Sequence, residues 1–186
     1  MTGTAKLEAT ATAVARGVCR WQLSDRADPV VVPLADRHYN RQKIGAPQFV
    51  PPGACVVLRT PEADAFWITS WPLAEYVRHA WPGSWVCSAF RNESPHLSSE
   101  LIHEAVAATL AVWPEPPAVE WPLVTFVNAA KVRRKRDPGR CFLRAGFVHI
   151  GWTKGGLDAF GLARGRMPAP MEAIGTQGVL SGETDE

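Results

Sequence analysis

Apolar runs in the middle of the chain alternate with short breaks that contain proline, glycine or polar residues. The clearest pair of runs covers residues 54–58 and 65–71, which flank a polar stretch at 60–64 that contains Pro61. Runs rich in valine, isoleucine and aromatic residues on both sides of such a turn predict a β-hairpin. We therefore expect two neighbouring antiparallel strands here.

Other strands are predicted wherever an apolar run ends at a polar residue, proline or glycine. These runs are residues 84–90, 123–127, 148–152 and 157–162. A shorter run of three valines at 30–32 is closed by Pro33, and we interpret it as a brief strand or strand edge. The polar residues 35–41 then predict a turn or a short helix.

One segment, residues 99–113, has the spacing of a helix. Its apolar face is formed by Ile102, Ala105, Val106, Thr109 and Trp113. Ser98 is the expected N-cap, and Pro114 ends the helix. A shorter helix at 139–145 and one helical turn within 73–79 complete the prediction. This order of elements indicates an α+β fold in which helices flank a mixed central sheet.

Length and composition favour one soluble domain. The 186 residues are 46% hydrophobic and 20% charged, which is enough for a single core. Residues 1–16 and 164–186 lack periodicity, so we expect a flexible N-terminal arm and a flexible C-terminal tail around a domain at 17–163. No uninterrupted apolar segment of membrane-spanning length and no export signal is visible, which predicts a cytoplasmic protein that does not enter a membrane.

The four cysteines include no Cys-x-x-Cys pair, so neither a disulfide scaffold nor a cysteine-only zinc site is expected. His96, Glu100 and His103 have spacings used in some metal sites. Pro95 should keep His96 outside the helix, and we predict no metal. Cys141, beside several cations, lacks an evident base and is not expected to be a nucleophile.

Charge is concentrated near the C-terminal half of the chain. The whole chain carries a net charge of +2, whereas residues 128–146 hold seven basic residues and one acidic residue, a net +6 that leaves −4 elsewhere. The basic segment, residues 131–140, is expected to bind the phosphates of double-stranded DNA. Its candidate contacts are Lys131, Arg133, Arg134, Lys135, Arg136 and Arg140. A clamp for cofactor phosphates and a plain solvated loop are the alternatives.

Two polar clusters are candidates for chemistry. Residues 91–99 join a strand to the long helix, where open sheets commonly bind ligands; a surface ion pair and a helix cap are their alternative roles. His38 and Tyr39 are adjacent groups that can exchange protons. Their alternative role is an ordinary turn with a half-buried ring.

The tryptophans could stack on an extruded base. The four weighed for this role are Trp67, Trp71, Trp81 and Trp85. Trp67 and Trp71 share a strand face, and for them we favour core packing.

The order of elements resembles the second half of the GNAT superfamily of N-acyltransferases: a strand, a polar loop, a long helix, a strand and a short helix. The short helix contains Phe142, which is followed by three spacer residues and Gly146-Phe147, and this spacing also resembles the family. The resemblance covers about residues 54–162. It implies a mostly antiparallel GNAT-like sheet and an acyl donor such as acetyl-CoA.

The sequence departs from the GNAT pattern at two places. The loop expected to hold the donor's pyrophosphate, residues 91–99, lacks glycine and contains Glu93 and Pro95. Phe142 stands where the family often has a tyrosine that acts as a general acid, and phenylalanine cannot donate a proton. Acetyl-CoA or another acyl donor is therefore expected to bind in an altered manner.

The chain resembles the Mom-type proteins of bacteriophages, which modify adenine in DNA. This resemblance rests on the altered donor loop, the His38-Tyr39 pair and the basic segment. This resemblance implies a DNA base-modifying transferase, and a bacterial host cell as its location if a phage encodes it. His38, Tyr39, Arg91 and Glu93 would then be catalytic, and Asn92, Ser98 and Ser99 would bind the donor. An ordinary acetyl-CoA-dependent N-acetyltransferase of a small molecule, peptide or tRNA and a non-catalytic DNA-binding protein remain the alternatives, and a homodimer stays open.

Overall fold

A mostly antiparallel open sheet forms the centre of the protein, in a computed structural model that describes residues 19–132 and 137–175. In this part of the chain the strands are β1 (Gln22–Ser24), β2 (Ala54–Arg59), β3 (Ala65–Trp71), β4 (Trp85–Asn92), β5 (Leu123–Val127), β6 (Val148–Trp152) and β7 (Asp158–Leu162). The helices are α1 (Val32–Asp36), α2 (Ser98–Val112) and α3 (Arg140–Arg144), with short 3-10 turns at Ala74–Tyr76 and Arg164–Arg166. Together they make a single α+β domain.

The strands lie in the order β1-β2-β3-β4-β5-β7-β6, and every neighbouring pair is antiparallel except β4 and β5. The predicted hairpin is confirmed, with Ala54 opposite Trp71 and Arg59 opposite Phe66. The parallel pairing of β4 with β5 extends only from Trp85 to Cys87 on β4. Because β4 continues to Asn92 without a β5 partner, the carboxyl ends of the two parallel strands separate.

Hydrophobic side chains cover both faces of the sheet. On one face the long helix α2 buries Leu101, Ile102 and Ala105 against Trp67 and other side chains of the larger core. On the opposite face, residues of α1 and of the loop after it cover β2 and β3. This smaller cluster contains Val31, Leu34, Ala35, Val50, Val57, Phe66 and Ile68. The sheet is therefore a middle layer between α2 and α3 on one side and α1 on the other.

The tryptophans predicted to pack do so. Trp67 is fully buried, and its ring contacts Phe90 and Phe142. Trp71 is 42% exposed, yet it packs against Trp85 with a centroid distance of 6.1 Å. Both side chains therefore lie on the face that carries α2.

Two local predictions were wrong. The valine run before Pro33 is not a strand, because α1 begins at Val32 and Pro33 lies in its first turn, where a missing N–H costs no helical hydrogen bond. Ser98 is not the N-cap of α2. Leu97 occupies the cap position, and Ser98 is the first helical residue, whose hydroxyl accepts a hydrogen bond from Asn92.

The C-terminal tail was predicted to start too early. Met167 and Met171 pack on the core, Ala173 is 7% exposed, and Ile174 forms a parallel bridge with Gln22 of β1. The chain thus remains part of the domain to Gly175, since these apolar side chains complete the core beside α2. The predicted N-terminal arm and residues 176–186 lie outside the described residues. Within residues 19–132 and 137–175, no helix has the length and apolar character needed to cross a membrane.

Candidate functional site

A cavity of about 750 Å³ opens where β4 and β5 separate. We call it the cleft. Its walls are residues 87–92 of β4, 125–127 of β5, 37–40 after α1, and 139–142 at the start of α3, with Ser98, Lys131, Val132 and Asp137 at its edges. This volume lies within the range of small-molecule sites in proteins.

The cleft gathers most of the predicted site residues that the structure describes. Those that line it are His38, Tyr39, Arg91, Asn92, Ser98, Lys131 and Arg140. Ser99 instead borders a smaller cavity of about 300 Å³ beside Arg20 and Arg144. Glu93 is not a lining residue, but it contacts one. The remaining predicted phosphate contacts, residues 133–136, lie outside the described residues.

His38 is held in place by hydrogen bonds and ring contacts. Its Nδ1 accepts a hydrogen bond from the backbone N–H of Asn40 at 3.2 Å, and the ring also hydrogen-bonds to the backbone of Phe90. Its ring stacks on Tyr39 with a centroid distance of 4.6 Å. Burial, aided by the nearby charge of Arg91, lowers the pKa of His38 to about 4. His38 is therefore neutral at pH 7, and its geometry suits it to positioning the tyrosine.

Tyr39 places a phenol at the end of β5. Burial raises its pKa, while a hydrogen bond with the backbone of Asn128 opposes this rise. The thiols of Cys87 and Cys141 are also close enough to raise the pKa of Tyr39. Since the phenol stays protonated at neutral pH, it can donate a proton to a group in the cleft.

Lys131 connects the basic segment to the opposite wall of the cleft. Its Nζ donates a hydrogen bond to the backbone oxygen of Tyr39 at 3.3 Å. The ammonium group is exposed and lines the cleft. Lys131 therefore places a positive charge beside the backbone of Tyr39.

Arg91 belongs to an arrangement of two arginines around one carboxylate. Its Nε donates to Glu93 Oε1 at 2.6 Å, and Arg37 donates to the same carboxylate through Nε at 3.0 Å and Nη2 at 2.7 Å. The hydrogen bond from Arg37, with help from Arg91, lowers the pKa of Glu93 to about 2. Glu93 is consequently ionised at pH 7 and pairs with both arginines.

The turn from β4 to α2 is organised by Asn92. Its Nδ2 donates to the backbone oxygen of His96 and to Ser98 Oγ, and its Oδ1 accepts from both the backbone N–H and the hydroxyl of Ser94. All these contacts lie within the turn. Asn92 thus shapes the turn, and this accounts for a loop without glycine at the start of the long helix.

The lining of the cleft is positively charged in the part of the chain that the structure describes. The lining cations are Arg37, Arg91, Lys131 and Arg140. The acidic lining residue is Asp137, which pairs with Arg140 at 3.1 Å. A cavity with this lining attracts anions and raises their local concentration.

The floor of the cleft near α3 is aromatic. Phe142 packs edge-on against Phe90 and Phe147, and its ring stacks on Phe160. It brings no hydroxyl group to the site. No group of three or more His, Cys, Asp or Glu side chains suited to a metal ion occurs among the residues described.

Sequence reasoning missed Arg37, Cys87 and Phe126 as lining residues. Arg37 directly precedes His38, and this proximity was a usable signal. Cys87 and Phe126 lie within apolar strands, where no local pattern separates a cleft residue from a core residue.

No protein-family model matches the chain, and no curated protein or solved structure is similar enough to it to count as a match.

Proposed function

We propose that the protein is a GNAT-like transferase that modifies a nucleobase in DNA, with adenine as the expected base, in the manner of Mom-type proteins. The observation that carries the proposal is the cleft between the diverging strands. It brings together a protonated phenol, an arginine pair and the first residue of the basic segment, although these residues are far apart in sequence.

The fold is compatible with the proposed family. A long helix, α2, connects the two parallel strands β4 and β5, and the short helix α3 with Phe142 precedes Gly146-Phe147 and β6. This order of strand, long helix, strand and short helix supports the resemblance. This supports a transferase scaffold in which donor and acceptor meet at the strand ends.

The chemistry requires an activated donor and a positioned amine. The lone pair of the exocyclic amine of adenine is delocalised into the ring, so the amine must be held against the donor and must lose a proton when the new bond forms. Tyr39 can protonate the leaving group, because its half-buried hydroxyl keeps its proton at neutral pH. The phenolate that forms can then take up the proton that the amine loses, which restores the phenol. Phe142, which stands at the position of the usual acid in the family, is buried and cannot do so.

The positive lining supports a polyanionic substrate. Lys131 and Arg140 are exposed at the edge of the cleft, at either end of the basic segment. Side chains placed in this way can neutralise phosphates of the DNA backbone while a base enters the cleft. The same cations would also favour a phosphate-bearing donor.

Replacing Arg91 tests the site directly. Arg91→Ala should abolish base modification, since it removes a lining cation and one partner of Glu93, while the domain remains folded. Arg59→Ala is a matched control, because Arg59 also lies on a strand and pairs with one carboxylate, that of Asp28, outside the cleft. Full modification by the Arg91 variant would remove this residue from the mechanism.

The assay is mass spectrometry of nucleosides from DNA that was present during expression of the protein. A new species derived from deoxyadenosine that depends on Tyr39 and Arg91 supports the proposal. Unmodified nucleosides together with saturable CoA binding in calorimetry would indicate an ordinary N-acetyltransferase instead. Salt-sensitive DNA binding with neither result would indicate a non-catalytic DNA-binding protein.

A further inference from the structure

The arginine pair at the cleft mouth has the geometry of a ligand site. We infer that Arg37 and Arg91 form a binding subsite for an anion with two acceptor oxygens, a carboxylate or a phosphate, and that Glu93 occupies the subsite until such an anion displaces it. Glu93 makes the contacts that a bound anion would make: Arg37 binds both of its oxygens, and Arg91 binds one of them. Paired contacts of this kind are the strongest that guanidinium groups form with carboxylates and phosphates.

Each arginine has a backbone contact in addition to its contacts with Glu93. Arg91 Nη1 donates to the backbone oxygen of Arg37 at 2.6 Å, and Arg37 Nη1 donates to the backbone oxygen of Pro33 at 2.8 Å. Each guanidinium is thus attached to the backbone through one nitrogen and directs its other nitrogens at the carboxylate. The pair should remain in place when Glu93 leaves, so an incoming anion meets a preorganised site.

Glu93 has room to leave. Its side chain is 33% exposed, and those of Arg37 and Arg91 are 51% and 32% exposed. An ion pair at this exposure is screened by water and contributes little to stability, so a ligand with higher charge can compete with it. The other acidic residue at the cleft, Asp137, already pairs with Arg140.

A second arginine–carboxylate pair shows the contrast. Arg41 and Asp36 are 7% and 17% exposed, and Arg41 also donates to the backbone oxygens of Ala46 and Gln48. That pair closes the loop after α1 and does not line the cleft. The Arg41–Asp36 pair is therefore structural, because it is buried and the loop supplies further hydrogen-bond acceptors to Arg41. The ion pairs of Glu93 at the cleft are more exposed.

Two sources could supply the anion, and they share the same chemistry. One is a small-molecule group donor that carries a phosphate or carboxylate, and the other is a phosphate of the DNA backbone. The choice between these two sources rests on the proposed function. The existence of the anion subsite does not rest on it. A test of anion binding is therefore distinct from a test of base modification.

The test compares Glu93→Gln with wild type in calorimetric titrations with inorganic pyrophosphate. If Glu93 competes for the subsite, the neutral amide should strengthen pyrophosphate binding about twofold to fivefold, the range expected when a competing exposed ion pair is removed. Arg37→Ala in the Glu93→Gln background should remove that gain, and Arg37→Lys should restore only part of it, because lysine lacks the paired donors. Circular dichroism melts show whether each variant is folded.

Glu100→Gln is the matched control. Glu100 pairs with Arg20 at 3.1 Å outside the cleft, so this variant makes the same change in net charge without opening the subsite. Equal affinity of Glu93→Gln and Glu100→Gln for pyrophosphate and also for the DNA duplex, or an Arg37→Ala variant that binds as tightly as its parent, would overturn the inference. Absence of pyrophosphate binding in all variants, with no gain in DNA affinity either, would overturn it as well.

A second arm uses a 20-base-pair duplex in fluorescence anisotropy. A gain for pyrophosphate alone in Glu93→Gln assigns the anion to a small donor, and a gain for the duplex alone assigns it to the DNA backbone; either result supports the subsite. A further readout is the NMR titration of His38. In Glu93→Gln, where no carboxylate faces Arg91, a bound anion should raise the pKa of His38, because the charge of Arg91 helps to lower it.

Discussion

His38 and Tyr39 are neighbours in sequence with stacked rings, yet their surroundings suit them to different tasks. His38 has hydrogen bonds to the backbone of both Asn40 and Phe90, which fix its ring plane. Tyr39 extends across the cleft to Asn128 at the end of β5. In the proposed mechanism, the histidine would position the tyrosine, and the tyrosine would donate the proton.

Removal of the Tyr39 hydroxyl should separate chemistry from folding. Tyr39→Phe keeps the stacked ring, and we expect it to reduce base modification by about 100-fold or more, the usual contribution of a general acid. The loss of stability should be only about 1 kcal/mol, since one hydrogen bond is removed. Nucleoside mass spectrometry and thermal unfolding measure the two effects. Tyr76→Phe, at a ring that is 70% exposed, is the control; equal activity in the two variants would exclude Tyr39 as the acid.

The neutral state of His38 predicts a pH dependence of stability. The folded pKa of about 4 lies below the unfolded value of 6.5, so below pH 6.5 the unfolded state binds a proton that the folded state does not. Stability should therefore fall as the pH decreases from 6.5 to about 4, by up to ~3 kcal/mol for this group. His38→Gln should flatten this part of the profile in urea denaturation series.

The control for this profile is His103→Gln, at an exposed position on α2. Glu93 contributes in a lower window, since its folded pKa of about 2 is below 4.5, and the stability it provides is lost only as the pH falls from about 4.5 to 2. A His38→Gln profile with the wild-type slope between pH 6.5 and 4.5 would contradict the buried neutral imidazole.

At the level of single residues, the sequence predicted part of the cleft. His38, Tyr39 and Arg91 could be predicted as candidates because titratable groups beside predicted strands are unusual enough to notice. Arg37 could not, since its importance arises from a contact with Glu93, which is 56 positions away. Long-range contacts of that kind leave no local pattern.

At the scale of elements, strands with strong β-branched and aromatic runs were predicted closely. The runs at 65–71, 123–127 and 148–152 coincide with β3, β5 and β6. The short strand β1 was missed, because its three residues have no periodicity and form a strand only by pairing with β2. The error at α1 has a similar cause: Val31 is apolar because it packs in the smaller core, not because it belongs to a strand.

The start of α3 depends on a glycine. Gly139 has a φ of +81°, and a Cβ at this position would lie 2.3 Å from a ring carbon of Phe160. We expect Gly139→Ala to destabilise the domain by about 2–4 kcal/mol through backbone strain and overpacking. Because Gly139 and the following helix line the cleft, activity should fall as well.

Chemical denaturation of Gly139→Ala and Gly165→Ala provides the comparison. Gly165 lies in a surface 3-10 turn, and a Cβ there would have no neighbouring atom within 4 Å. We expect the Gly165 variant to match wild type within about 0.5 kcal/mol. Similar stability of both variants would mean that Phe160 moves aside and that α3 tolerates the change.

At the scale of the whole molecule, the lining of the cleft is more positively charged than the chain as a whole. The chain has a net charge of only +2, while four of the lining residues are cations. In the proposed function, binding to DNA should depend on a small number of phosphate contacts at one side of the protein. Such contacts release counterions, which makes affinity a steep function of salt concentration.

This predicts a change in salt dependence for variants at the two described ends of the basic segment. Lys131→Ala and Arg140→Ala should each reduce the slope of log K against log salt by about 1, with little change in preference among DNA sequences. Fluorescence anisotropy of a duplex at several salt concentrations measures the slope. Lys154→Ala, at an exposed position between β6 and β7, should leave it unchanged; an equal effect of Lys154 would indicate general attraction to the whole surface.

The short parallel pairing of β4 with β5 has a mechanical consequence. Three residue pairs join the half of the sheet that carries α1 to the half that leads into α3. Few backbone hydrogen bonds therefore hold the two halves of the sheet together. None of the β4–β5 pairs lies at the carboxyl ends of these strands, where the cleft opens. We expect a ligand that contacts both halves of the sheet to stiffen it, which slower amide hydrogen exchange in β4 and β5 would show.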